Sequence, residues 1–275
     1  IPVFSSDNAF RYLVEQCELG PRYPGSMEIE QCREYIISKL ETTGAIIEEQ
    51  IFEAEIRGNN LTGINIIARF NPVMGRRILL GAHYDTRPWA DKEEDTSLHN
   101  TPIIGANDAA SGVAVLLGLA DLLAEQSPEQ FGIDLVFFDL EDMGDYGNNN
   151  TWCLGSKYYV ETFEERKPEK VIIVDMVGEK NNEIPMEYYS YHNSPTLVKE
   201  IWQKARELDY DQFKQKIGSY VYDDHSAFIA AGFNAAVIID FDYPYWHTLE
   251  DTPDKCSALS LQAVGQTLTD IIYSE

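Results

Sequence analysis

The sequence predicts an α/β fold: a single three-layer α/β/α domain with a central mixed, mainly parallel sheet. Three observations carry that expectation. The runs Ile133 to Phe138, Lys170 to Val174 and Ala235 to Ile239 are almost continuously apolar and rich in β-branched residues, which places them in the middle of a sheet covered on both faces. Segments with apolar residues at helical spacing alternate with them. Apolar runs continue at regular spacing from Phe10 to Ile272 with no Pro/Gly/Ser-rich linker, low-complexity stretch or internal repeat, so one domain over residues 1–275 is expected.

The elements follow in order. Asp7 is placed to cap a helix reaching about Cys17, and Pro21 and Pro24 then break the chain. Ser26 opens a second helix over Glu28 to Leu40, which ends near Gly44. Ala45 to Glu55 and Leu61 to Phe70 alternate as an antiparallel pair near the sheet edge does, whereas Arg76 to Ala82 contains the Ile78-Leu79-Leu80 run of a buried strand. Ala109 to Leu123 is a strong helix pattern, and helices over Thr196 to Leu208 and Ser257 to Tyr273 complete the cover.

Composition narrows the partners. Asp and Glu number 46 against 21 Lys and Arg, a formal charge of -25. Such a surface repels phosphate backbones, which argues against nucleic acid as a partner; it reads first as a solvated acidic surface and second as one that attracts cationic peptide amino termini. No apolar run approaches the ~20 residues of a membrane span, so no transmembrane segment is expected. The opening Ile1-Pro2-Val3-Phe4 is not a signal peptide; a start without Met fits a chain trimmed after export. Cys17, Cys32, Cys153 and Cys256 are even in number but sparse, and both buried thiols and disulfides fit them.

Candidate metal ligands stand at the ends of the apolar runs, where open α/β sheets place their ligand crevices. His83 follows the third strand, Glu141 and Asp142 follow the fourth, Asp175 closes the fifth, and His247 comes after the last. Asp108 precedes a helix within Gly105-Ala106-Asn107-Asp108-Ala109-Ala110-Ser111-Gly112, whose small residues let backbone approach an ion closely. Taken alone, Asp108 reads as an N-cap, and each histidine as a structural one. Together they are acids and imidazoles at one sheet edge, a group that a cation would neutralise. Nitrogen and oxygen donors from separate strand ends suit a catalytic zinc rather than a structural one, which would show cysteine pairs. No Gly-x-Ser-x-Gly elbow or phosphate-cradling glycine loop occurs.

The motifs His83-Tyr84-Asp85, Gly105-Ala106-Asn107-Asp108, Asp139-Leu140-Glu141-Asp142, Asp175, Asp224-His225 and Trp246-His247-Thr248 resemble, in order and over nearly the whole chain, those of the M28 zinc aminopeptidase superfamily. Within it the chain looks most similar to the animal-type (type II) glutaminyl cyclases and their bacterial branch. Asp223 stands where aminopeptidases usually carry serine, and Trp246 precedes His247 as the cyclases' pocket tryptophan does. The resemblance implies a peptide or protein amino terminus as substrate, conversion of amino-terminal glutamine to pyroglutamate with loss of ammonia, and a periplasmic or secreted location.

It also implies roles for residues. One zinc ion would be held by Asp108, Asp142 and His247, with Glu141 as the proton carrier, Asp175 and Asp223 holding the substrate amine or sharing a proton, and Trp246 walling the glutaminyl pocket. A two-zinc aminopeptidase is the competing reading, in which His83 and Asp175 hold a second ion and Asp108 bridges. A catalytically inactive binding module of the same fold is the third, and retention of Glu141 with every ligand argues against it. Departures are specific. Asp142 replaces a glutamate of many relatives, and Ala82 and Val113 show that the animal enzymes' cysteine pair is missing. Gly147, in the entrance loop Met143 to Cys153, does not match a family tryptophan, for which Tyr245 or Trp89 would have to compensate.

Overall fold

Alternation along the central strands decides where the helices lie. In the computed structural model, which describes residues 1–274, the chain forms helices α1 (Ser6–Leu19) and α2 (Met27–Glu41), then strands β1 (Ile46–Ile56), β2 (Asn59–Phe70) and β3 (Arg77–His83). Helix α3 (Ala110–Glu125), β4 (Gly132–Phe138), α4 (Leu154–Glu161) and β5 (Lys170–Asp175) follow. The last part comprises β6 (Ile184–Met186), α5 (Tyr188–Asn193), α6 (Pro195–Glu207), β7 (Phe213–Ile217), α7 (His225–Ala230), β8 (Ala235–Ile239) and α8 (Ala258–Tyr273). The main sheet has the order β1-β2-β4-β3-β5-β8; β4, β3, β5 and β8 run parallel to one another, while β1 with β2 and β2 with β4 are antiparallel.

Successive side chains of a strand point to opposite faces, so a strand covered on both must be apolar at every position. Ile78, Leu80, Ile172, Val174 and Ile238 pack on one face with α1, α2, α3, α6 and α8; Leu79, Ile173, Val237 and Ile239 pack on the other with Tyr159 of α4 and Phe228 and Ile229 of α7. Helix α3 is buried without a break from Ala110 to Ala120, because α1 and α8 cover it on the side away from β3. Its Gly112 is seated so tightly that a Cβ there would lie 2.3 Å from the Val174 carbonyl oxygen and 3.0 Å from Ala82 Cβ. That approach draws the start of α3, with Asp108, down to the carboxyl ends of β3 and β5.

The structure departs from the sequence expectation in four places. Ser5, not Asp7, caps α1, accepting the Asn8 N–H at 3.4 Å, and Asp7 lies in the first turn where its charge still favours the helix dipole. Ala235 to Ile239 is the edge strand β8 rather than a middle one; it is nonetheless fully buried, since α5, α6, α7 and β6 pack around it. A two-stranded parallel sheet of β6 and β7 and the short helices α4, α5 and α7 were not anticipated, being too short to show a period. The β1–β2 hairpin is longer than expected and closes on Arg57 and Gly58, both at positive φ, as a two-residue turn of type I′ requires. All four cysteines are buried free thiols.

The contact at Gly112 sets a test of the packing. Gly112→Ala is expected to destabilise the protein by about 3 kcal/mol through overpacking against main chain, whereas Gly75→Ala, with nothing within 4 Å of the added carbon, is expected to stay within about 0.5 kcal/mol of the parent; urea unfolding midpoints of the two variants decide it.

Candidate metal centre and active site

Parallel register brings the strand ends together. His83 is the last residue of β3 and pairs with Phe138, Asp175 is the last of β5, and Glu141 and Asp142 come just past β4. Asp108 does not cap α3. The residue at the cap is Ala109, joined to Asp108 by a cis peptide bond, and the Asp108 carboxylate turns instead toward both histidines. Its Oδ1 lies 3.1 Å from His83 Nε2 and its Oδ2 3.5 Å from His247 Nε2. Asp175 Oδ1 is 3.3 Å from His83 Nε2, and Asp142 Oδ1 is 3.1 Å from His247 Nε2. Two groups result, His83–Asp108–Asp175 and Asp108–Asp142–His247, sharing Asp108.

These donors fit a metal ion. His83 Nδ1 and Nε2, both Asp142 oxygens and Asp175 Oδ1 are buried without a hydrogen bond, although the neighbours just named lie at contact distance. Within each group the unpartnered donors lie close enough together to share an ion. Ligands on one zinc at bond lengths of about 2.0–2.1 Å sit about 3.3–3.4 Å apart in a tetrahedron, close to the separations of 3.1–3.5 Å found here. Each group supplies the imidazole nitrogen and carboxylate oxygen that zinc accepts.

The loops carrying these ligands are held by buried carboxylates that are not ligands. Asp85 accepts the consecutive N–H groups of Glu141 and Asp142, each at 3.1 Å, and lies 3.4 Å from His83 Nδ1. Asp251 does the same for Asn107 and Asp108, at 2.8 and 3.1 Å, and receives the Tyr243 hydroxyl at 2.8 Å. Arg87, buried, donates to the Asp142 and Gly144 carbonyls and to Asp91. The Tyr146 hydroxyl stands 2.7 Å from His247 Nδ1 and donates to Asp91 at 3.1 Å. Sequence reading missed Asp251, Arg87, Asp91 and Tyr146. Asp85 was seen only as part of a motif, and no local pattern marks the others. Non-glycine residues at positive φ, Leu140, Cys153, Met176 and His247, gather at these same turns, where strain is commonly kept for function.

Electrostatics separate the acids. Burial pushes Glu141 well above the usual carboxylate range; His83 opposes this while Asp142, Asp224 and Asp223 add to it. Asp175 is pushed up to about 7, by burial first, against the pull of His83 and with the charges of Asp108 and Asp223 adding. For Asp108 burial also acts upward, yet His247 and His83 hold it well below the usual range. Burial would lower both imidazoles, but the surrounding carboxylates drive His83 and His247 well above the ordinary histidine range. Asp223 Oδ1 accepts the N–H of its own neighbour Asp224, while its Oδ2 is buried without a hydrogen-bond partner.

A cavity of about 40 Å³ opens over these groups, with Glu141 and Asp223 inside and Trp246, Trp152, Tyr222 and Phe241 as its aromatic walls. Trp246 lies 4.0 Å from the His247 ring and 5.0 Å from Phe241, and Trp152 is parallel to His247 at 6.2 Å. Neither Tyr245 nor Trp89 lines the cavity. Trp89 is held beneath Arg57 and beside Arg87, and the aromatic supplied by the entrance loop is Trp152. A roomier groove of about 700 Å³ lies between α4 and α7 and shares Tyr222, but holds none of the ligand groups.

Comparison with known proteins agrees with this site. Residues 65–272 match peptidase family M28. A glutaminyl-peptide cyclotransferase of Boiga dendrophila is 23% identical over 282 residues, covering 90% of this chain and 75% of the snake protein. A glutaminyl cyclase of Bacteroides thetaiotaomicron, solved with N-acetylhistamine bound, is 37% identical with a TM-score of 0.96, covering 100% of this chain and 99% of that one. A leucine aminopeptidase precursor from the same organism is 38% identical with a TM-score of 0.97 over 100% and 99% of the two chains. With residues 65–272 matched, well over half of its length, the chain belongs to peptidase family M28.

Proposed function

We propose that this protein is a zinc-dependent glutaminyl-peptide cyclotransferase, acting on the amino-terminal glutamine of peptides or proteins. Similarity of comparable strength to a cyclase and to an aminopeptidase precursor leaves the choice to the site. The observation that carries it is the narrow aromatic slot over Glu141. The flat faces of Trp246 and Trp152 line it beside Glu141, and aromatic faces of this kind suit a planar carboxamide. Asp223, at the place of the aminopeptidases' serine, adds an acid beside Asp175.

The reaction closes a ring. The substrate's α-amine nitrogen bonds to the side-chain carbonyl carbon, the bond to the amide nitrogen breaks, and the proton lost by the amine leaves with ammonia. Glu141, with its raised proton affinity, accepts the proton and returns it to the departing nitrogen. Asp175 and Asp223 hold the α-amine, and the indole of Trp246 keeps the side chain folded for five-membered closure and excludes competing water. A bound zinc ion supplies Lewis acidity toward the amide carbonyl. Asp108, Asp142 and His247 would hold that ion, one per chain. His83, Asp108 and Asp175 form a second group, the one that a two-zinc aminopeptidase would fill. The whole length, residues 1–275, acts as one catalytic domain in this reading, in the periplasm or outside the cell. Among the described residues no helix is long and apolar enough to cross a membrane.

Three outcomes test this. Incubated with peptides that differ only in a first residue of glutamine, leucine or alanine, the zinc-loaded protein should release ammonia from the glutamine peptide alone and lose that activity to a chelator; peptides shortened by one residue in the mass spectrum would establish the aminopeptidase instead. Glu141→Gln should lower kcat by about 10²–10⁴-fold, the range of general acid–base catalysis, with zinc content unchanged by atomic absorption. Metal analysis of the parent should return one zinc per chain, falling below half in Asp142→Asn; two firmly held ions would sink the single-metal assignment.

A further inference from the structure

We propose that Cys153 is a positioning residue for Glu141, its thiol fixing which oxygen of the proton-carrying carboxylate faces the substrate. This rests on the reading of Glu141 given above. The Cys153 Sγ donates to Glu141 Oε1 at 3.0 Å, and it is the one hydrogen bond made to that side chain among the described residues. Both residues are buried, and Asp223 completes a close group with them. The backbone fixes the pair as well, since the Cys153 N–H donates to the Glu141 carbonyl and the Leu154 N–H to the Leu140 carbonyl, each at 3.0 Å.

Ordinary packing explains the other three cysteines and not this one. Cys17, Cys32 and Cys256 belong to the apolar core, as buried cysteine usually does, whereas Cys153 belongs to none of the apolar clusters. It sits at φ 56°, ψ 42° just before α4, a conformation that favours glycine or asparagine, and its side chain makes no cap to the helix. A glutamate's terminal torsion is broad and roughly two-fold, so an untethered carboxylate samples many orientations. The thiol holds Oε1. Oε2, which takes no hydrogen bond among the described residues, is then the oxygen left to receive the amine's proton and pass it on.

The test uses the full-length, zinc-loaded protein with Cys153→Ala and Cys153→Ser, the second keeping a hydrogen-bond donor. Expected for Cys153→Ala is a loss of about tenfold in kcat, in keeping with a hydrogen bond to a charged group, with KM and zinc content held and with most of the loss restored in Cys153→Ser. An unchanged kcat in Cys153→Ala, or equal losses in both variants, overturns the proposal. Infrared spectra give a reading independent of turnover: the S–H stretch that disappears in Cys153→Ala should move to higher frequency in Glu141→Ala while the other three stay, and an unmoved band overturns the contact itself. If the parent clips the first residue rather than releasing ammonia, the cyclase reading fails by itself, and the same kcat comparison is made on the clipped peptide, because a base at Glu141 serves either reaction.

Discussion

Negative charge converging where three parallel strands end is the constraint on which the rest of this structure depends. Asp108, Asp142 and Asp175 lie against two imidazoles, with Glu141, Asp223 and Asp224 close behind and all of them buried. At an effective dielectric constant of about 20, two like charges 4 Å apart cost roughly 4 kcal/mol. Such a group fits a site where a cation offsets the repulsion and the surrounding backbone holds the acids together. In each group the donor atoms stand at the separations of metal ligands, and tight seating of α3 by Gly112 brings Asp108 to the strand ends.

Much of this was legible in the sequence because it is local. An apolar run ending in an acid or histidine marks both a buried strand and its carboxyl end, so His83, Glu141, Asp142 and Asp175 could be placed with the strands that carry them. What escaped is of longer range. Asp251 holds the turn of Asn107 and Asp108 across more than a hundred residues, as Tyr146 reaches His247, and no periodicity encodes such pairs. The apolar run of β8 looked central because edge strands betray themselves only when water touches them, and this one is covered by helices and by β6. Asp108 reads as a cap by its neighbours alone, and only the turn of its carboxylate toward two histidines shows otherwise.

The entrance loop shows how a site is supported from outside it. Asp145 of that loop is paired with Arg57 at the tip of the β1–β2 hairpin, which in turn covers Trp89. Arg87 passes beneath the rings of Trp89, Tyr146 and Trp152 while its donors hold the loop's first carbonyls. One buried guanidinium thus links a metal-facing carboxylate, an aromatic wall of the slot and a hairpin at the edge of the sheet. The extra hairpin length, unremarkable as sheet, acts as a buttress for the wall that Trp152 forms.

Asp85 and Asp251 have a consequence for how this architecture changes over time. Each spends its carboxylate on two consecutive backbone amides and neither faces the metal groups directly with a free oxygen pair. The framework is therefore kept by one set of acids and the chemistry by another. A lineage can alter the number of ions, shorten a ligand by a methylene or exchange the residue beside Asp175 without disturbing the turns that aim them. Division of labour of this kind lets hydrolysis and cyclisation be neighbours in mutational space, a few side chains apart on an unchanged main chain.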